Sequence, residues 1–145
     1  MRISGRMASI NHHRSHLTDS KAPEGLELFN ECARLLADKH VVALRGYDVR
    51  GVSSITDYYL VGSVRNERQM KAAGQNVTRQ LKKRGVYALH RDGTASGPWV
   101  VLDYVDCIVH LFTSEARDYY NLEEMWRTHE IPVDDQDPSS TGTNG

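Results

Sequence analysis

Apolar residues in this chain fall into two helical stripes and several short, dense runs of strand type. From Glu24 onward, Leu28, Cys32 and Leu35 or Leu36 form one stripe, flanked by Phe29 and Ala33 and ended by Asp38-Lys39. A short strand is expected over Val41–Leu44, continuing through Arg45–Val49 into a turn closed by Arg50-Gly51. Tyr58–Val61 reads as the next strand, broken by Gly62-Ser63-Val64-Arg65-Asn66. Asn66 followed three residues on by Gln69 resembles a capping box, and Met70, Ala73, Val77 and Leu81 then recur on one helical face up to a stop at Gly85. Gly74 in mid-helix costs on the order of 1 kcal/mol relative to alanine, which points to a close helix–sheet contact there. Val86–His90 is a third expected strand and Arg91–Pro98 a turn-rich loop.

Trp99–Asp103 and Cys107–Phe112 are rich in β-branched and aromatic residues and read as two consecutive strands joined through Tyr104, Val105 and Asp106. Their density suits strands covered on both faces, so helices are expected on each side of the sheet. Ser114–Trp126 reads as a last helix, with Tyr119, Leu122 and Trp126 on one face. The order α-β-β-α-β-β-β-α predicts a single α/β domain around a mixed sheet of about five strands flanked by helices.

Composition sets the limits of that domain. The chain has 145 residues, enough for one real core and too few for two of ordinary size. Its mean hydropathy of −0.55 fits polar tails on a compact centre, so the expected divisions are a flexible tail over 1–23, a folded domain over 24–130 and a disordered tail over 131–145. His12, His13 and His16 in the first tail lack carboxylate or cysteine partners, and a metal site is not the favoured reading. A formal net charge of −1 argues against a strongly basic nucleic-acid binder, and no direct DNA binding is expected. The one basic cluster, Lys82-Lys83-Arg84, reads as the solvated last turn of a helix. Cys32 and Cys107 lack CxxC spacing and read as buried free thiols of a reducing compartment. No apolar run reaches membrane-spanning length and Met1–Leu17 has no hydrophobic centre, so a cytoplasmic protein without membrane contact is expected.

Candidate chemistry gathers in Gly97–Thr113 and in Val52–Asp57. Trp99 follows a Gly-Pro turn at a strand entrance; it is either a core or rim residue or a recognition anchor, and an anchor would stand largely exposed in the free protein. Asp103 and Asp106 bracket a strand connection, as turn formers do. His110 points opposite to Val109 and Leu111, as a hydrogen-bonded structural histidine or a metal ligand. Ser53, Ser54, Thr56 and Asp57 form either a self-capped loop or a polar surface beside the sheet edge.

The pattern lacks the signatures an enzyme of a common class would carry. Val61-Gly62-Ser63 after a strand invites comparison with nucleotidyltransferases, whose Gly-Ser precedes paired carboxylates that hold two metal ions. Here Met70–Asn76 holds no acidic residue. Phosphate-loop, dinucleotide, HExxH and GxSxG signatures are missing too. Asp48, Asp57, Asp103 and Asp106 with His110 remain an unforced acid/base or metal grouping. No enzyme activity and no cofactor are expected; a divergent metal-dependent nucleotidyltransferase is one rival, and a dimeric scaffold for another protein is a second.

Several ordered motifs carry a resemblance. They are Ser53-Ser54-Ile55-Thr56-Asp57-Tyr58, Trp99-Val100-Val101-Leu102-Asp103-Tyr104, Asp106 with Val109-His110-Leu111-Phe112, then Tyr120-Asn121-Leu122-Glu123 and Trp126. Over about Glu24–Trp126 the chain resembles the ribosomal silencing factor (RsfS, Iojap-like) family. The resemblance implies a nucleotidyltransferase-like α/β fold without catalysis, often homodimeric. It implies a factor that binds the large ribosomal subunit through its protein number fourteen and sterically blocks joining of the small subunit, lowering translation when nutrients are scarce. The tryptophan matched by Trp99 belongs to the family's partner-binding surface. Ser54, Asp57, Asp103 and Asp106 fall in its signature, and with Tyr104 they complete the expected partner-binding set.

Two positions depart from the family pattern. Val105 stands where Asp-Tyr-Gly-Asp is common, and a valine there would be strained if the turn needs φ > 0. The usual Thr-Gly-x-Ser after the second strand becomes Val61-Gly62-Ser63-Val64-Arg65-Asn66.

Overall fold

Six strands form one mixed sheet in the order β3-β4-β5-β2-β1-β6. The strands are β1 (Val42–Asp48), β2 (Tyr58–Val64), β3 (His90–Asp92), β4 (Trp99–Asp103), β5 (Cys107–Thr113) and β6 (Glu130–Ile131). The computed structural model describes residues 22–92 and 97–133. Most of both expected tails and part of the loop before Trp99 lie outside those residues. Pro23, assigned to the first tail by sequence, is buried and belongs to the domain. β2 and β5 pair in parallel at the centre, and all other pairings are antiparallel.

Helices α1 (Gly25–Ala37) and α2 (Glu67–Lys83) bury the predicted stripes against one sheet face. Leu28, Phe29, Cys32, Ala33, Leu35 and Leu36 of α1 meet Met70, Ala73, Val77 and Leu81 of α2 over Leu60, Leu102, Val109 and Leu111 of the sheet. The Asn66 side chain caps α2 by accepting from the Gln69 N–H at 2.9 Å. The Gln69 side chain in turn ties the Lys39 and His40 carbonyls to that cap, at 3.0 and 2.9 Å. Cys32 and Cys107 are both fully buried free thiols, and Cys107 is pushed well above its ordinary pKa by the neighbouring Cys32 thiol and by burial. Such thiols are poor nucleophiles.

Four sequence expectations change. β2 does not break at Gly62: it runs to Val64, paired with β5 along its whole length. A Cβ on Gly62 would lie 2.5 Å from Val41 Cγ1, so glycine marks a close approach inside the strand rather than its end. Gly74, by contrast, makes no close contact, since a Cβ there would meet nothing within 4 Å. The third strand starts only at His90, because the Val86 N–H is used by the Leu81 carbonyl in the stop of α2 and pairing to β4 begins when Leu89 N–H reaches the Asp103 carbonyl at 2.7 Å. The last helix is two pieces, α3 (Ser114–Tyr120) and a 3₁₀-helix over Leu122–His129, broken at Asn121 in the left-handed region (φ 46°). Asparagine tolerates that conformation better than most residues. The break leaves Tyr119 exposed while Trp126 folds back against the sheet, so the two do not share a face.

The β4–β5 connection turns through Val105 at φ +73°. The Asp106 N–H donates to the Tyr104 carbonyl at 2.8 Å, a γ-turn hydrogen bond centred on the valine. Asp103 Oδ1 accepts the Val105 N–H at 2.8 Å, and the Thr56 hydroxyl donates to the Val105 carbonyl at 2.8 Å, so the surroundings hold the strained residue in place. A β-branched residue there costs roughly 1–2 kcal/mol, against about 0.5–1 kcal/mol for glycine's extra freedom in the unfolded chain. Val105→Gly is therefore expected to stabilise the protein by about 1 kcal/mol, raising the melting temperature by a few degrees in calorimetry. A lower melting temperature would show that the valine side chain contributes more than its backbone costs.

Candidate functional site

The sheet face away from α1 and α2 carries a cluster of aromatic rings among aliphatic side chains. Strand alternation and register bring Trp99, Val101 and Asp103 of β4 beside Phe112, His110 and Ile108 of β5, and these beside Ser63, Val61 and Tyr59 of β2. Trp126 from the 3₁₀-helix stacks on Tyr59 with centroids 3.7 Å apart and planes 11° apart. Trp99 stacks on Phe112 at 4.9 Å and meets Tyr120 at 5.0 Å, and Tyr120 meets Tyr119 edge-on at 5.0 Å. One side of this cluster is sealed by Trp126. The other is open: Tyr119 is 80% and Tyr120 48% exposed, and Met125 nearby in sequence is 67% exposed.

His110 sits among these rings, within 5.6–6.3 Å of Tyr59, Trp99, Trp126 and Phe112. Burial pushes its pKa down to about 4, only slightly offset by Glu123, so the imidazole is neutral at pH 7. The Trp99 Nε1–H donates to His110 Nδ1 at 3.1 Å. An indole can only donate, so Nδ1 is the acceptor and the imidazole proton lies on Nε2. The structural reading of His110 holds. Trp99 itself is half-buried, neither the largely exposed anchor nor the core residue that the sequence offered as alternatives.

A part-buried ion-pair network anchors the far side of this face. Arg117 of α3 donates from Nε and Nη2 to the two carboxylate oxygens of Glu123, each at 2.8 Å. Its Nη1 donates to Ser63 Oγ at 2.8 Å and to the Ala43 carbonyl at 2.7 Å. Tyr47 adds an O–H bond to Glu123 at 2.7 Å. Burial alone would raise the Glu123 carboxyl, but hydrogen bonds from Arg117 and Tyr47 outweigh it and hold the group below its ordinary range. Burial and the bond to Glu123 push the Tyr47 phenol up. Ser63, whose Gly-Ser turn invited the comparison with nucleotidyltransferases, here accepts a hydrogen bond from the Arg117 guanidinium. Arg117 was not singled out from the sequence; only its place four residues before the Asn121-Leu122-Glu123 motif hinted at it.

The remaining predicted site residues gather elsewhere. Asp103 is four residues from Trp99 along an extended strand, about 13 Å away. Tyr104 lies on the opposite sheet face, 4% exposed in the core beneath the helices, so it does not belong to a partner surface. Asp106 is 7% exposed and its carboxylate accepts the Gly25 N–H at 2.9 Å, at the start of α1. It too is part of the fold rather than of an open surface, placed where a helix N-terminus favours negative charge. Asp103 acts as a turn former through its bond to Val105. The loop before β2 caps itself through Ser53, whose Oγ accepts the Ile55 N–H at 3.1 Å. Ser54 in that loop is exposed, and Asp57 and Asp103 are half-buried. Among the described residues, no three His, Cys, Asp or Glu side chains stand together as metal ligands would.

Comparison with known proteins bears on this arrangement. Residues 21–144 match the protein family described as ribosomal silencing factor during starvation. The ribosomal silencing factor RsfS of Zymomonas mobilis is 37% identical over 91 residues, covering 63% of this chain and 68% of that protein. The Bacillus subtilis protein of the same name is 30% identical over 89 residues, covering 61% of this chain and 75% of its own. A crystal structure of a Chromobacterium violaceum protein superposes with a TM-score of 0.70 at 29% identity, covering 77% of this chain and 92% of that one.

Proposed function

The chain belongs to the ribosomal silencing factor family, and we propose that it binds the large ribosomal subunit through protein number fourteen and sterically blocks joining of the small subunit. It acts in the cytoplasm as a repressor of translation, without catalysis or cofactor. The observation that carries this reading is the half-open aromatic face, where Trp99 meets Tyr120 and Tyr120 meets the exposed Tyr119, which follows the exposed carboxylate of Asp118 in the chain. Aromatic anchors rimmed by acidic groups suit a basic ribosomal protein, which would desolvate the rings at its centre and meet the carboxylates at its edge. Asp57, Asp103 and Ser54 form a second, more distant polar contact zone in this proposal.

The protein also works as a homodimer. β3 ends the sheet as an edge strand, and Tyr87 and Leu89 just before it are 65% and 64% exposed. An exposed sheet edge is shortened, charged, covered or paired in stable proteins, and pairing with a second copy is the route proposed for this one.

The test is direct. Purified large subunits incubated with the protein before small subunits are added at moderate Mg²⁺ are expected to form far fewer joined ribosomes on a sucrose gradient. Unchanged joining at saturating protein would overturn the proposal.

A further inference from the structure

We propose that His110 is a positioning residue for the partner-binding face: its Nδ1 holds the Trp99 indole in a fixed orientation between Phe112 and Tyr120, ready for a protein partner. This rests on the reading that Trp99 belongs to that face. The argument starts from what stacking leaves undecided. Phe112 and Tyr120 contact the Trp99 ring at 4.9 and 5.0 Å, and ring–ring contacts tolerate a flip of the indole about its own axis. A hydrogen bond does not. The 3.1 Å bond from Nε1 to His110 Nδ1 selects one flip, and so decides which edge of a half-buried tryptophan faces outward.

The position of the acceptor is itself held firmly. His110 is 7% exposed on the central strand β5, paired to Val61 on one side and Val101 on the other. Its ring is fixed by Tyr59 of β2, Trp126 of the 3₁₀-helix and Phe112 of its own strand. Among the described residues Glu123 is the charge that bears on it, and burial outweighs that charge, so Nδ1 keeps its lone pair across the physiological range. A rigid acceptor behind a semi-exposed tryptophan lowers the ordering cost of binding, because the anchor is already in place when the partner arrives.

The experiment measures fold, hydrogen bond and binding in the same variants. His110→Phe keeps a ring and removes the acceptor, whereas His110→Asn returns an amide oxygen close to the place of Nδ1. In ¹⁵N-labelled wild-type protein the Trp99 Nε1–H, assigned by its loss in Trp99→Phe, is expected to exchange slowly with solvent. His110→Phe is expected to speed that exchange and to weaken binding to purified large subunits about three- to tenfold. His110→Asn is expected to restore both. Should His110→Phe fail to fold, benzothienylalanine incorporated at position 99 leaves His110 untouched, keeps the shape of the indole and lacks the N–H. The same loss of affinity is expected from it. Wild-type binding by His110→Phe or by the benzothienyl protein would overturn the proposal, as would an Asn variant that recovers slow exchange but not binding. Normal binding by Trp99→Ala would instead remove the partner-face reading on which the proposal stands.

Discussion

Arg117→Ala is expected to cost about 3–5 kcal/mol of folding stability. The side chains of Arg117 and Glu123 are 10% and 18% exposed, so neither charge is well solvated once its partner is gone. Removing the guanidinium leaves Glu123 with only the Tyr47 hydroxyl, and strips Ser63 Oγ and the Ala43 carbonyl of their donor. Ala43 is the weak point of β1. It lies at φ +52° within the register shift between Val42 and Arg45, and Arg117 spans that irregularity from the other side. At this chain length the loss corresponds to about 10–20 °C in melting temperature. Arg117→Met with Glu123→Gln is expected to be less damaging than Arg117→Ala, because no unpaired charge remains. Urea denaturation of the single and double variants checks both expectations. A cost below about 1 kcal/mol for Arg117→Ala would mean that the pair behaves as a solvated surface bridge.

Network residues of this kind explain what the sequence did and did not disclose. The stripes of α1 and α2 were legible because periodic burial is a local signal, repeated every turn. Arg117 meeting Ser63 across 54 positions has no such signal. Gly62 read as a breaker because glycine usually is one, and only the crowding of Val41 and Leu44 against β2 reveals why it is there. The central strands held more information than the motif reading used. Residues 99, 101 and 103 alternate with 100, 102 and 104, so period-two geometry already separates Trp99 from Tyr104. The partner set drawn from the family resemblance mixed the two faces. What alternation could not tell was how far the aromatic face is covered, since that depends on the chain breaking at Asn121 and returning Trp126 to Tyr59.

Trp99→Ala is expected to separate the two roles that its half-burial combines. A fully buried aromatic side chain typically costs 3–5 kcal/mol on truncation. Trp99 packs against Phe112, Tyr120 and His110 but is only half-buried, so a loss of about 1–3 kcal/mol is expected, larger than the near-native stability change an exposed anchor would show. Domains of this size are commonly stable by 5–15 kcal/mol, which leaves the variant overwhelmingly folded at 25 °C. Binding to large subunits should fall much further than folding does. Loss of an interface anchor costs about 2 kcal/mol or more, roughly thirtyfold in affinity, and the His110 imidazole is then left without its indole donor. Co-sedimentation with purified large subunits gives the affinity, and calorimetry on the same sample gives the stability. A variant that is folded and binds as wild type would take Trp99 out of the partner surface. One that is unfolded at 25 °C would make it a core residue, because only deep burial could account for so large a cost.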